Sequence, residues 1–207
     1  MGRSSNSFSR PKPRFKPQPT VLIICEDTKS GKRYLEDAAR HFRVDVKVEV
    51  THAGKTDPRG IVDYAIERRK RYDTIYCVID RDTHETFDAA VKSAERYPNI
   101  ELFVSYPCFE FWLFLHFKYS RKTYKKAGKL SPGDRMLHAL KKCHGMDRYD
   151  KGADISFFDL LHDKLPTARK HAARVMTEAI EVGSLDPSTR LHHLLDAFEI
   201  LQEPQKM

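Results

Sequence analysis

Short apolar runs alternate with helix-spaced apolar positions along the first half of the chain. Mostly apolar, β-branched runs typical of buried strands cover residues 21–26, 74–79 and 100–105, and apolar and polar positions alternate over residues 44–51 as in a further strand. Between these runs, apolar side chains recur at helical spacing over residues 32–42, 60–72 and 85–97. Such strand-then-helix units predict a mostly parallel sheet with helices on both faces, because crossovers between parallel strands are almost always right-handed.

The pattern changes after Tyr106 and Pro107, where the strand signals end. Helical spacing predicts further helices over residues 108–117, 132–144, 156–162, 167–182 and 190–202. We expect Ser188 or Thr189 to cap the last of these helices, since both residue types are favoured at helix starts. The chain is therefore predicted to be an α/β core with a four-stranded sheet over residues 20–117 and a helical C-terminal extension, residues 118–207, packed on it.

Residues 1–19 differ from the rest, because they hold five lysines and arginines and four prolines but no acidic residue. We expect a flexible basic arm, which either tracks a nucleic-acid backbone or is simply a frayed terminus.

The composition is that of an ordinary globular chain of 207 residues, with 40% hydrophobic and 32% charged residues. The longest apolar run, residues 109–117, is interrupted by Glu110 and His116 and is far shorter than the roughly 20 residues of a membrane span. The four cysteines are scattered, without a CxxC pair or the Cys and His spacing of zinc sites. We therefore expect a cytoplasmic protein with no membrane segment and no structural zinc.

The formal net charge of +8 suggests a polyanionic partner such as nucleic acid, although solubility alone also accounts for a basic chain. Residues 118–129 form a basic segment in which Tyr119 and Tyr124 stand between lysines and arginines. This basic segment could hold a nucleic-acid backbone while the tyrosine rings stack on bases. A solvated basic face is the competing interpretation. The candidate nucleic-acid contacts are Arg81, Lys118, Arg121, Lys122, Lys125 and Lys126.

Carboxylates follow two of the predicted strands at the point where each strand ends. Glu26 follows the first apolar run, and Asp80 and Asp82 follow the third. The carboxyl edge of a parallel sheet is where α/β sites form, and residues two apart on an extended chain point to the same side. Asp80 and Asp82 are thus predicted to bind Mg²⁺ or Mn²⁺, with Glu26 as a further ligand or as the group that transfers a proton.

Other candidate residues carry a weaker signal. Glu110 stands among aromatic residues and needs a cation, a proton or a donor, so it either completes the metal site or pairs with a lysine or arginine. Lys29 lies near the start of the first helix, where it either contacts a phosphate beside the free amides or is solvated. His116 and His192 are isolated on apolar faces, which is typical of core histidines; both are kept as secondary catalytic candidates.

Four ordered motifs resemble the RloB-like family, and together they span residues 21 to about 195. They are Ile24-Cys25-Glu26-Asp27-Thr28-Lys29, Val78-Ile79-Asp80-Arg81-Asp82 with His84, Ser105-Tyr106-Pro107-Cys108-Phe109-Glu110-Phe111-Trp112-Leu113 with His116, and Asp186-Pro187-Ser188-Thr189 with His192. The resemblance implies a Toprim-like core, a link to bacterial restriction loci and abortive phage infection, and often an ATPase partner. It also places the Toprim general acid or base on Glu26 and the Mg²⁺-binding pair on Asp80 and Asp82.

The expected function is therefore a Mg²⁺-dependent phosphodiesterase, a nuclease acting on DNA or RNA in bacterial anti-phage defence. A non-catalytic module that binds nucleic acid or an ATPase is the main alternative. A nucleotidyl transferase is a weaker one, since primases share the Toprim core. A homo-oligomer is a further alternative that the sequence leaves open.

Overall fold

A computed structural model describes residues 19–26, 29–44, 46–50, 57–150, 152 and 155–202. The predicted basic arm lies outside the described residues except for its last residue, Pro19.

At the centre of the described residues lies one sheet of five strands in the order β2-β1-β3-β4-β5. The strands are β1 (Val21–Cys25), β2 (Val46–Val50), β3 (Thr74–Asp80), β4 (Ile100–Tyr106) and β5 (Ser188–Thr189). The first four are parallel, as predicted, and β5 runs antiparallel to β4. The four predicted strands are thus present in a mostly parallel sheet, and a two-residue strand from the C-terminal part of the chain extends it.

Eight α-helices surround the sheet in the described part of the chain. They are α1 (Ser30–His41), α2 (Pro58–Arg68), α3 (Phe87–Ala94), α4 (Glu110–Leu115), α5 (Pro132–Leu140), α6 (Phe157–Leu161), α7 (Leu165–Glu181) and α8 (Leu191–Gln202). Each predicted helix is present, with ends that differ from the predicted ones by up to four residues. None of these helices combines the length and the apolar character needed to cross a bilayer.

The two faces of the sheet carry different helices. Leu22 and Ile24 of β1 point to the face covered by α2 and α3, whereas Val21, Ile23 and Cys25 point to the face covered by α1 and the C-terminal helices. The chain moves from β1 to one side of the sheet and later from β3 to the other side. Right-handed crossovers in opposite directions place their helices on opposite faces, which explains this arrangement.

The C-terminal helices share a hydrophobic core with the sheet. Trp112 of α4, Phe158 of α6 and Phe198 of α8 are fully or almost fully buried in the same cluster as Ile23 of β1. The predicted boundary after residue 117 therefore falls within a continuous core. The division of the chain into a core and an extension stays a prediction.

The segment before α8 is a strand and not the predicted helix start. Ser188 and Thr189 are buried and pair with Tyr106 and Ser105 of β4. The hydroxyl groups of Thr189 and Ser105 are 2.9 Å apart, and Thr189 Oγ1 also accepts a hydrogen bond from the amide of Leu191. Thr189 thus contacts the first turn of α8 while its backbone belongs to the sheet.

Candidate active site

The strand order places β1 beside β3, and the chain leaves these two strands toward opposite sides of the sheet. In doubly wound sheets, this switch point opens a crevice at the carboxyl ends of the strands, where ligands bind. Glu26 follows β1, and its amide donates to the carbonyl of Val78 on β3. Asp80 is the last residue of β3. The two predicted carboxylates therefore stand on either side of the switch point.

A cavity of about 150 Å³ lies at this edge of the sheet, and we call it the carboxylate pocket. Its described lining includes five acidic residues and one histidine: Glu26, Asp80, Asp82, Glu110, Asp134 and His84. No lysine or arginine belongs to that lining. The structure thus brings together all four carboxylates that the sequence singled out.

Glu26 is partly buried, and both of its carboxylate oxygens have hydrogen-bond partners. Nε2 of His84 is 3.2 Å from Oε1 of Glu26, and the amide of Asp80 donates to Oε2 at 3.3 Å. Because an ionised carboxylate only accepts hydrogen bonds, Nε2 of His84 is the donor when Glu26 is charged. His84 therefore fixes one oxygen of the carboxylate expected to move a proton.

Asp82 reaches the pocket by a different route from the one predicted. The strand ends at Asp80, and Asp82 lies in a turn with a φ of 22°, so the pair does not share an extended segment. Aspartate is among the few residue types enriched at positive φ. Hydrogen bonds from the amides of Arg81 and Asp82 to the carbonyls of Ser105 and Pro107, both 2.9 Å long, hold this segment against the end of β4.

The first turn of α5 approaches Asp82 closely. The amide of Gly133 donates to Oδ1 of Asp82 at 3.3 Å, and a Cβ atom at position 133 would lie 3.1 Å from Oδ2. Ser131 and Asp134 form a capping box at the start of this helix. The small residue at position 133 therefore lets the helix end contact the carboxylate without a clash.

Glu110 is 1% exposed and begins α4. The hydroxyl of Tyr149 is 3.1 Å from Oε1 of Glu110 and 3.1 Å from Oγ of Ser30. A phenol has one proton, so the hydroxyl donates to the carboxylate and accepts from the serine. Tyr149 thus supplies a donor of the kind that the burial of Glu110 requires.

The donor set of the pocket suits Mg²⁺ or Mn²⁺ in kind, because both are hard cations that prefer carboxylate oxygens. The positions of the side chains are less suited. Within the described residues, no group of three or more His, Cys, Asp or Glu side chains is placed to hold a metal ion. The oxygens of Glu26, Asp82 and Glu110 instead accept hydrogen bonds from the protein.

Two of the predicted cationic contacts lie outside the carboxylate pocket. Lys29 lines a separate cleft together with Lys32, Arg33 and Arg40. Arg81 donates to the carbonyl of His84 at 2.8 Å.

The two secondary histidine candidates are buried outside this pocket. Nδ1 of His116 donates to the carbonyl of Trp112 at 3.0 Å, and the ring of His192 lies against that of His193. Burial lowers the pKa of His116 and that of His192 to about 4, since the charged imidazolium loses its hydration. These surroundings are typical of core histidines.

In the predicted basic segment, the lysines are exposed, whereas Arg121 and the two tyrosines contact other parts of the protein. Lys118, Lys122, Lys125 and Lys126 are exposed. The guanidinium of Arg121 donates to the carbonyls of Pro187 and Ser184. Tyr124 is buried, and Arg174 covers the ring of Tyr119 at 4.1 Å. The interpretation of Tyr124 as an exposed stacking platform was therefore wrong.

Sequence reasoning gave no role to three residues that shape the pocket: His84, Gly133 and Tyr149. His84 stands two residues after Asp82, so its place in that motif was a usable signal. Gly133 and Tyr149 are brought in by the fold of the C-terminal part, and no local pattern marks them.

The fold and the site define a doubly wound α/β protein with an acidic pocket at its switch point. The sequence model of the family described as RloB-like protein matches residues 21–198. The chain therefore belongs to the RloB-like family, which confirms the resemblance of the four motifs. No curated protein and no solved structure matches this chain.

Proposed function

We propose that this protein is a divalent-metal-dependent phosphodiesterase with a Toprim-like core that cleaves DNA or RNA. The observation that carries the proposal is the carboxylate pocket, where Glu26, Asp80 and Asp82 meet at the switch point of the sheet. In a chain with a formal net charge of +8, acidic side chains concentrated in one crevice fit an enzyme that attracts a polyanion.

In this proposal, Asp80 and Asp82 hold Mg²⁺ or Mn²⁺, and Glu26 lies beside them. The bound ion would neutralise charge on the phosphodiester as it is attacked. Glu26 transfers the proton, while His84 holds its Oε1 atom at 3.2 Å and orients the carboxylate. Glu110, fixed by the hydroxyl of Tyr149, completes the acidic wall of the pocket.

A second candidate function is a non-catalytic module that binds nucleic acid or a partner ATPase. The placement of the side chains favours it, since no described group of three ligands is arranged for a metal ion. The two candidates differ in what the pocket carboxylates do. Cleavage needs them, whereas binding by exposed lysines does not.

We also propose a role in bacterial defence against phage, with an ATPase as partner. Membership of the RloB-like family supports this role. Protection of cells against phage, lost when the pocket carboxylates are replaced, is the expected outcome of an infection assay.

Cleavage of labelled single- and double-stranded DNA and RNA by the full chain tests the enzymatic proposal. We expect cleavage with Mg²⁺ or Mn²⁺ and none in excess chelator. The double variant Asp80→Asn with Asp82→Asn is expected to lose about 100-fold or more of this activity, because metal ions contribute several kcal/mol to such reactions.

The matched control is Asp147→Asn with Asp163→Asn, which removes the same charge at exposed positions outside the pocket. The control should cleave like the wild type, and circular dichroism should show that both variants are folded. Equal behaviour of wild type and pocket variant on all four nucleic acids would refute the nuclease and favour the binding module.

A further inference from the structure

A second cavity, of about 500 Å³, lies against another side of α5, and we call it the basic pocket. Its lining contains five basic side chains: Lys118, Lys122, Arg135, His138 and Lys142. No aspartate or glutamate belongs to its described lining. The sequence had indicated only Lys118 and Lys122, so the fold adds the three others from α5 and the turn after it.

Among the residues that the structure describes, these basic side chains have no acidic partner. In the part of the chain that the structure describes, Lys118, Lys122, His138 and Lys142 form no salt bridge. Like charges gathered around one cavity repel each other, and an anion bound between them removes that cost. The basic pocket therefore has the electrostatic character of a phosphate site.

Two of its members are held in place by neighbouring groups. Arg135 donates to the carbonyl of Lys125 at 2.7 Å, and the ammonium group of Lys118 lies 5.0 Å from the ring centroid of Phe114. A guanidinium and ammonium groups arranged around one cavity suit recognition of phosphate oxygens.

Helix α5 links this cavity to the carboxylate pocket. Gly133 and Leu137 line the carboxylate pocket, whereas Arg135, His138 and Ala139 line the basic pocket. With a rise of 1.5 Å per residue, Gly133 and His138 are about 7.5 Å apart along the helix axis. The two pockets therefore lie close enough along one helix for a single nucleic-acid strand to contact both.

We propose that the basic pocket binds phosphate groups of the nucleic-acid strand whose cleaved phosphate occupies the carboxylate pocket. The inference rests on the proposed function. It adds a second contact that holds the nucleic-acid strand. A strand and not a small anion is indicated, because the two pockets share α5 and exposed lysines such as Lys125 and Lys126 continue the basic surface.

Binding of fluorescein-labelled DNA and RNA strands of two and eight nucleotides, measured by fluorescence anisotropy in excess chelator, tests the inference without cleavage. Lys118→Gln with Lys142→Gln should weaken binding of the eight-nucleotide strands by about 10-fold or more. The salt slope should fall by about 1.4, because each phosphate that is no longer neutralised lowers it by about 0.7. The two-nucleotide strands, which carry too few phosphates to occupy both pockets, should show little difference.

The matched control is Lys70→Gln with Lys170→Gln, which removes the same charge from exposed positions outside the pocket lining and outside the basic surface around it. Its affinity should stay within about threefold of the wild type. Equal weakening in both variants would mean a general charge effect, and unchanged binding by the pocket variant would mean that the strand does not touch the pocket; either result overturns the inference.

The two proposals fail in different assays. Cleavage by the wild type with metal, together with unchanged binding by the basic-pocket variant, would refute the phosphate site and leave the nuclease. Loss of binding by that variant, without any cleavage by the wild type, would refute the nuclease and leave the phosphate site.

Discussion

One substitution, Tyr149→Phe, tests whether the hydrogen bond from Tyr149 stabilises the buried Glu110 in the wall of the carboxylate pocket. Glu110 is 1% exposed and Tyr149 is 2% exposed, and the hydroxyl is 3.1 Å from the carboxylate oxygen. Tyr149→Phe removes only this hydroxyl. The ring can keep its packing against Phe157, with ring centroids 4.8 Å apart.

The expected cost follows from the burial of the pair. A hydrogen bond to a charged group contributes about 1.5–3 kcal/mol, and water has little access to replace the missing donor. We therefore expect the free energy of unfolding to fall by about 2 kcal/mol. For a chain of this size, about 2–4 °C per kcal/mol implies a fall in Tm of about 4–8 °C.

Urea unfolding followed by tryptophan fluorescence provides the measurement. Trp112 is the only tryptophan, is fully buried, and stands two residues from Glu110. Tyr119→Phe is the matched control, since it removes a hydroxyl that donates to Glu178 at the surface, where water can replace it. A loss below about 0.5 kcal/mol for Tyr149→Phe, or one equal to that of the control, would refute the reasoning.

Two further predictions concern pH and the sheet edge. Because the folded pKa of His116 and of His192 is lowered to about 4, the unfolded chain, with an ordinary pKa of about 6.5, binds more protons between these values. The urea midpoint should therefore be lower at pH 4.5 than at pH 7.5, and a constant midpoint would contradict the burial of neutral imidazoles. Thr189→Val removes the hydroxyl that lies 2.9 Å from that of Ser105, and the free energy of unfolding should fall by about 1–2 kcal/mol. A smaller loss than about 0.5 kcal/mol in the same titration would show that this buried pair does not stabilise the junction of β4 and β5.

Strands β1, β3 and β4 could be predicted because strands buried on both faces are mostly apolar runs. Strand β2 could be predicted because its valines alternate with charged residues. The fifth strand could not, since Ser188 and Thr189 are polar and too few to form a pattern. Their conformation is set by pairing with Ser105 and Tyr106, more than 80 residues earlier in the chain. Local propensity at Pro187-Ser188-Thr189 favoured a helix start, and tertiary pairing overrode it.

In the candidate site, too, residues at strand ends could be predicted, whereas residues placed by tertiary contacts could not. Glu26 and Asp80 were predictable because each stands at the end of a strand, and neighbouring parallel strands end at the same edge. Asp82 reaches the pocket through a turn and the contact with Gly133, which strand geometry alone does not describe. Tyr149 reaches Glu110 across 39 residues of sequence, so only the folded chain reveals it.

The proposed function requires that the carboxylates at the switch point bind a divalent ion. Electron paramagnetic resonance of Mn²⁺ titrated into the full chain measures this binding directly, without reference to cleavage. We predict that Asp80→Asn with Asp82→Asn weakens Mn²⁺ binding by at least about 10-fold, while Asp147→Asn with Asp163→Asn binds like the wild type. Equal Mn²⁺ binding by all three proteins would contradict binding of the ion by these carboxylates.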